Sequence, residues 1–147
     1  MSNQKGIPSP DGLVPINDFE LSTLYVTGEN ILPKGNNASI SGVTFTVNDD
    51  GSVSTTGTAT DDIDYNIIST YYPADVYTIS GCPLGGGNQT YSVQFNLYKN
   101  NIYQTGIANY GPLDTSTFNI AQYEYDSCRI LIHIRKGLDV TGKVFYP

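Results

Sequence analysis

The chain has 147 residues, of which 39% are hydrophobic, enough to fill the core of one domain. Fourteen acidic residues oppose seven basic ones, and the formal net charge of −7 repels phosphate backbones and anionic membrane surfaces, which argues against a nucleic-acid partner. No run approaches the ~18 apolar residues of a membrane-spanning helix, and Met1–Gly6 lacks the apolar centre of a secretory signal. The expectation is a chain made in the cytoplasm without a signal peptide, with no membrane insertion, that stays there or travels within a larger assembly.

Val, Ile, Thr, Tyr and Phe recur, Gly and Pro punctuate, and no long segment has helical period, so strands are the expected element. Residues 1–18 carry Pro8, Pro10 and Pro15 among polar neighbours and read as an extended arm or linker; residues 19–147 read as one domain. Glu20–Val26 has the composition of a strand, and the stretch around Asn30–Pro33 is irregular. In Val43–Val47 apolar residues alternate with threonines, Asn48-Asp49-Asp50-Gly51 tolerates positive φ, and Ser52–Thr60 resumes the alternation, which predicts a hairpin. Its apolar face holds Val43, Phe45, Val47, Val53 and Ala59, and its other face is almost wholly Ser and Thr.

Asp64–Ser69 and Val76–Gly81 follow as strands around a turn at Tyr71–Asp75, and Gly85–Asn88 reads as a flexible loop. Tyr91–Tyr98 alternates cleanly with Tyr91, Val93, Phe95 and Leu97 inward, and Lys99-Asn100-Asn101 turns it into Ile102–Thr105. Thr117–Ile120 is a short strand. Arg129–Arg135 puts Ile130, Ile132 and Ile134 on one face with Arg129, His133 and Arg135 on the other, and Val140–Tyr146 is the last strand. The fold class is therefore all-β, an antiparallel β-sandwich or jelly roll of about nine to eleven strands. Cys82 and Cys128 read as small buried hydrophobes, with a pairing across facing strands left open.

Several segments in order carry a likeness: Pro8–Asp11 leading to Pro15-Ile16, Asn30–Pro33, Gly42–Val53 ending in Gly57-Thr58-Ala59, Tyr72–Pro83, Cys128–Ile132 and Val144–Pro147. Together they resemble carbohydrate-binding-like modules in tail-associated minor structural proteins of phages and prophages of Gram-positive bacteria. The resemblance runs from Pro8 to the end of the chain and implies a virion structural protein of a phage tail, attached to a fibre or baseplate and engaged in host recognition. Its implied partners are cell-surface polysaccharide or other tail subunits, with homo-oligomers as a further option. Asp75 stands where that family usually has Gly, and relatives commonly run on past Pro147, which suggests a fragment of a longer protein.

Converging catalytic groups are scarce. His133 lies between arginines on a polar strand face, a setting that disfavours its cation, and no G-x-S-x-G elbow or H-E-x-x-H helix accompanies it. No catalytic residue is assigned, and the domain is read as non-catalytic. Asp61, Asp62 and Asp64 form an acidic cluster that is a weak Ca²⁺ candidate, without the closing Glu of an EF-hand loop; no other cofactor is expected. A minor alternative makes the chain a polysaccharide hydrolase pairing one of these aspartates with Glu20, Glu29 or Glu124.

Tyrosine is the informative excess, with twelve copies and no Trp. A tyrosine presents an apolar ring to the C–H face of a sugar and a hydroxyl to its polar edge, and the same chemistry serves protein contacts. Loops of a sandwich are supported by its sheets yet free to vary, so the candidate glycan-binding residues are Tyr71, Tyr72, Asn109, Tyr110, Tyr123 and Tyr125. The expected function is a non-catalytic receptor-binding module that recognises a host glycan; the alternative is a purely structural or oligomerisation domain of a tail fibre or baseplate.

Overall fold

The computed structural model describes residues 30–114 and 116–147. The proline-rich arm, the Glu20–Val26 strand, Glu20 and Glu29 lie outside the described residues. The compact unit described below is Pro33–Pro147.

Ten strands form among the described residues: β1 (Ala38–Ile40), β2 (Val43–Val47), β3 (Val53–Gly57), β4 (Ile63–Thr70), β5 (Val76–Ile79), β6 (Tyr91–Lys99), β7 (Ile102–Asn109), β8 (Ser116–Asn119), β9 (Ser127–Ile134) and β10 (Val144–Phe145). All pairings are antiparallel. They build one four-stranded sheet of order β1-β2-β3-β10, a second of order β4-β9-β6-β7, and a two-stranded ribbon β5-β8. The protein is an all-β sandwich, as the spacing of the strands predicts.

The predicted β2–β3 hairpin forms, closed by Asn48 accepting from Gly51 N–H and by Gly51 at φ 88°. Asp50 Oδ1 accepts from both the backbone and the hydroxyl of Ser52, and these bonds hold its carboxyl below the usual range. Register Phe45↔Thr55 puts Thr55 on the apolar face, where it is buried; its hydroxyl donates to Val140 O at 2.7 Å, so burial leaves no unmet polar group.

Four elements differ from expectation. Strand β1 comes from a polar stretch, and pairs with β2 through the tight Ser41-Gly42 turn. Strand β7 runs to Asn109, because β6 offers it partners as far back as Val93. The 3-10 turn Ile120–Gln122 replaces the end of the Thr117–Ile120 strand, started by Asn119 Oδ1 accepting from Ala121 N–H. The expected Val140–Tyr146 strand shrinks to β10: the segment still follows β3, but at Thr141 a side-chain oxygen, not a carbonyl, accepts from Gly57 N–H.

The inner face of β4-β9-β6-β7 carries the core: Ile63, Tyr65, Ile130, Ile132, Ile134, Val93, Phe95 and Leu97 are all buried. One half packs against the first sheet, with Phe45 and Tyr65 rings 4.4 Å apart and Tyr91 and Phe145 5.6 Å apart. The other half packs under the ribbon, where Phe95 meets Tyr77 and Phe118 at 5.5 and 5.6 Å. Both cysteines are buried and free, so the pairing left open does not form. Burial pushes the Cys82 thiol up to about 12.

A polar cleft on the outer face of the second sheet

Because side chains alternate across a strand, the residues between the core positions of β4, β9 and β6 all point outward. Register aligns them in rows across the sheet: Asp64–His133–Ser92, then Asn66–Leu131–Gln94–Ala108, then Ser69–Arg129–Asn96–Gly106. The first two rows open into a cleft of about 320 Å³ lined by Asp64, Ser92, Gln94 and His133 from the strands. Its walls are Asn88, Arg135 and Tyr110.

The floor is a ladder of polar groups along β6. Asn96 Nδ2 donates to Gln94 Oε1 at 3.1 Å, and Gln94 Nε2 donates to Ser92 Oγ at 3.1 Å. Each amide keeps donor and acceptor capacity beyond these two bonds. His133 Nδ1 meets Asp64 Oδ1 at 2.6 Å, so the charged group in contact with the histidine is a carboxylate and not one of the arginines along its own strand.

The walls are held firmly. Arg135 Nε donates to Asn88 O at 3.0 Å, Tyr91 hydroxyl donates to Leu84 O at 2.5 Å and Thr90 Oγ1 donates to Gly85 O at 2.9 Å. The glycine-rich loop, expected to be flexible, is thus tied at three points. Tyr110 N–H donates to Asp114 Oδ2 at 2.9 Å, and the residue is 40% exposed beside the cleft.

The row Asp64–His133–Ser92 has the composition of a Ser-His-Asp triad without its geometry. The histidine bonds toward β4, no hydrogen bond joins it to Ser92, and the Ser92 hydroxyl is buried and already accepts from Gln94.

The acidic cluster does not converge as a calcium site would require. Asp62 accepts from Lys136 N–H at 2.8 Å and sits 3.4 Å from Arg135 Nη1; the Lys136 bond, with help from the Arg135 charge, holds its carboxyl below the usual range. Asp64 is taken by His133, and Asp61 Oδ1 accepts from Asp62 N–H. Among the described residues no three His, Cys, Asp or Glu side chains gather around a point. The hydrolase pairing fares no better with Glu124, which binds Lys99 at 2.7 Å. Lys99 lies seven residues along β6 from the Asp64 row, roughly 23 Å at about 3.3 Å per residue, against the roughly 5–10 Å that paired glycosidase carboxyls need.

The six tyrosine and asparagine candidates separate into two groups. Asn109 has no exposed surface: its Oδ1 accepts from Cys82 N–H at 3.0 Å and its Nδ2 donates to Asp114 O at 3.0 Å, so it braces two loops and cannot reach a ligand in solvent. Tyr72 packs its ring on Tyr77 and Phe95. Tyr125 donates its hydroxyl to Tyr72 O at 2.7 Å and stacks with Tyr71 at 5.6 Å, and Tyr123 rests against Phe118 at 5.8 Å; Tyr71 and Tyr123 are exposed, as Tyr110 is, but do not line the cleft. Only Tyr110 borders the cleft. Tyrosine content does not point to Gln94, Asn88, Ser92, His133 or Arg135; the signal that does is the outward run Ser92, Gln94, Asn96 on one strand.

No protein-family model, curated protein or solved structure matches the chain. Among the described residues no helix is long and apolar enough to cross a membrane.

Proposed function

We propose that the domain is a non-catalytic saccharide-binding module, with the outer-face cleft as its binding site. The observation that carries this reading is the cleft's chemistry: the amides of Asn88 and Gln94, a carboxylate and a guanidinium converge beside one exposed tyrosine. Vicinal sugar hydroxyls ask for such paired donors and acceptors, and the C–H face of a pyranose asks for a ring. The sequence resemblance supplies the setting: a module of a phage or prophage tail appendage, part of the virion, that recognises a host cell-surface polysaccharide.

Titration calorimetry against purified Gram-positive wall polysaccharide tests this. Saturable binding that Gln94→Ala and Tyr110→Ala each weaken is the expected result. A lack of saturable binding to wall preparations and to glycan arrays would sink it and leave the purely structural or oligomerisation role, which sedimentation of the intact chain would then assess.

A further inference from the structure

The polar ladder does not stop at the cleft. Beyond Gln94 the next outward positions of β6 are Asn96, whose buried amide bonds to Gln94, and Tyr98, and the edge strand β7 places only Ala108 and Gly106 opposite Gln94 and Asn96. A Cβ at Gly106 would collide with Asn96 Oδ1, so the glycine makes room for the buried Asn96 amide. The far end carries a second aromatic group: Arg129 Cζ stands 3.8 Å from the Tyr98 ring centroid, and Tyr103 meets Tyr98 edge-on at 5.9 Å with 55% of its surface exposed. Ser92 to Tyr98 is six residue steps along β6, roughly 20 Å at about 3.3 Å per step, far longer than one sugar ring.

We infer that the outer face binds a linear chain of several sugars lying along β6 and β7, anchored at the cleft by Tyr110 and at the far end by a second subsite formed by Tyr98, Tyr103 and Arg129. The inference rests on the saccharide-binding reading and adds the length and direction of the ligand. Small side chains on β7 keep the track open between two rings, which stand too far apart for any single sugar to touch both. A globular or highly branched glycan would not fit such a strip.

The test uses oligosaccharides released by partial hydrolysis of Gram-positive wall polysaccharide and separated by length, titrated against the intact chain. Affinity is expected to climb with length until the track is filled and then level off. Tyr103→Ala is expected to lower affinity for the longest fragments about tenfold, equal to about 1.4 kcal/mol, while leaving the shortest unchanged. Arg129→Gln gives the same length-selective loss and serves if Tyr103→Ala alters the melting temperature. Binding that is independent of length, or equal loss for all lengths in both variants, overturns the extended track and leaves the cleft reading standing. Absence of binding at every length overturns both.

Discussion

Tyr125 and Tyr110 are both tyrosines in loops next to strand ends, yet they sit at opposite ends of the same sheet and in different physical circumstances. Tyr125 precedes β9 where the sheet is covered by the ribbon, and its hydroxyl is bonded to Tyr72 O, whose ring packs in turn on Phe95. Tyr110 follows β7 at the end where Asn109 anchors the backbone, and its ring borders the open cleft. The difference teaches that an aromatic side chain in a loop closes the core when a neighbouring backbone carbonyl offers it a bond, and remains available to a ligand when only its backbone is held.

The largest expected effect sharpens the baseline for that comparison. Phe45→Ala removes a fully buried ring that faces Tyr65 at 4.4 Å and should cost about 3–5 kcal/mol of stability in urea unfolding. Asn109→Ala should cost about 1–3 kcal/mol by stranding Cys82 N–H and Asp114 O, although Asn109 neighbours Tyr110 at the border of the cleft; a stable variant with weakened binding would return Asn109 to the site.

Tyr125→Phe deletes one hydroxyl and should cost about 1 kcal/mol of stability with no change in saccharide affinity. The same ring gives a pH test. Burial, followed by the contact with Tyr71, raises the Tyr125 phenol well above its ordinary value, so the folded state holds that proton more tightly than the unfolded chain does. Its contribution is therefore complete below pH about 10 and is lost as pH climbs beyond it. Wild-type stability should fall over that alkaline range, and the fall should be shallower in Tyr125→Phe. An identical slope in both would place the ring in solvent. The smallest effect on stability belongs to Tyr110→Ala, within about 0.5 kcal/mol, while saccharide affinity drops by about 1 kcal/mol or more. Unfolding by Tyr110→Ala would make that ring part of the core and erase the distinction.

Much of the architecture is legible in the order of the amino acids. Inward and outward positions of β2, β6 and β9 follow from alternation alone, and the Asn48–Gly51 and Asn100-Asn101 turns follow from residues that accept positive φ. Strand ends are harder to place, because β7 extends as far as its partner allows and β10 is cut short where Thr141 substitutes for a carbonyl. The candidate site is the least legible part. Tyrosine content singles out rings by type, and most of those rings brace one another or the core.

What the sequence determined by itself is local in origin: an all-β chain, the period-two faces, and the turns that fold each hairpin back on itself. Each of these depends on residues a few positions apart. The tertiary structure alone decided which strands distant in the chain lie side by side. Asp64, Ser92 and His133 are separated by tens of residues, and a shift of one residue in register would have sent any of them to the opposite face. It also decided that Asp62 answers Arg135 and Asp64 answers His133, which dissolves the acidic cluster the sequence displays. Adjacency along the chain puts three carboxylates together; packing gives each a different partner, and the cleft exists because neighbouring strands contribute their outward residues to one surface.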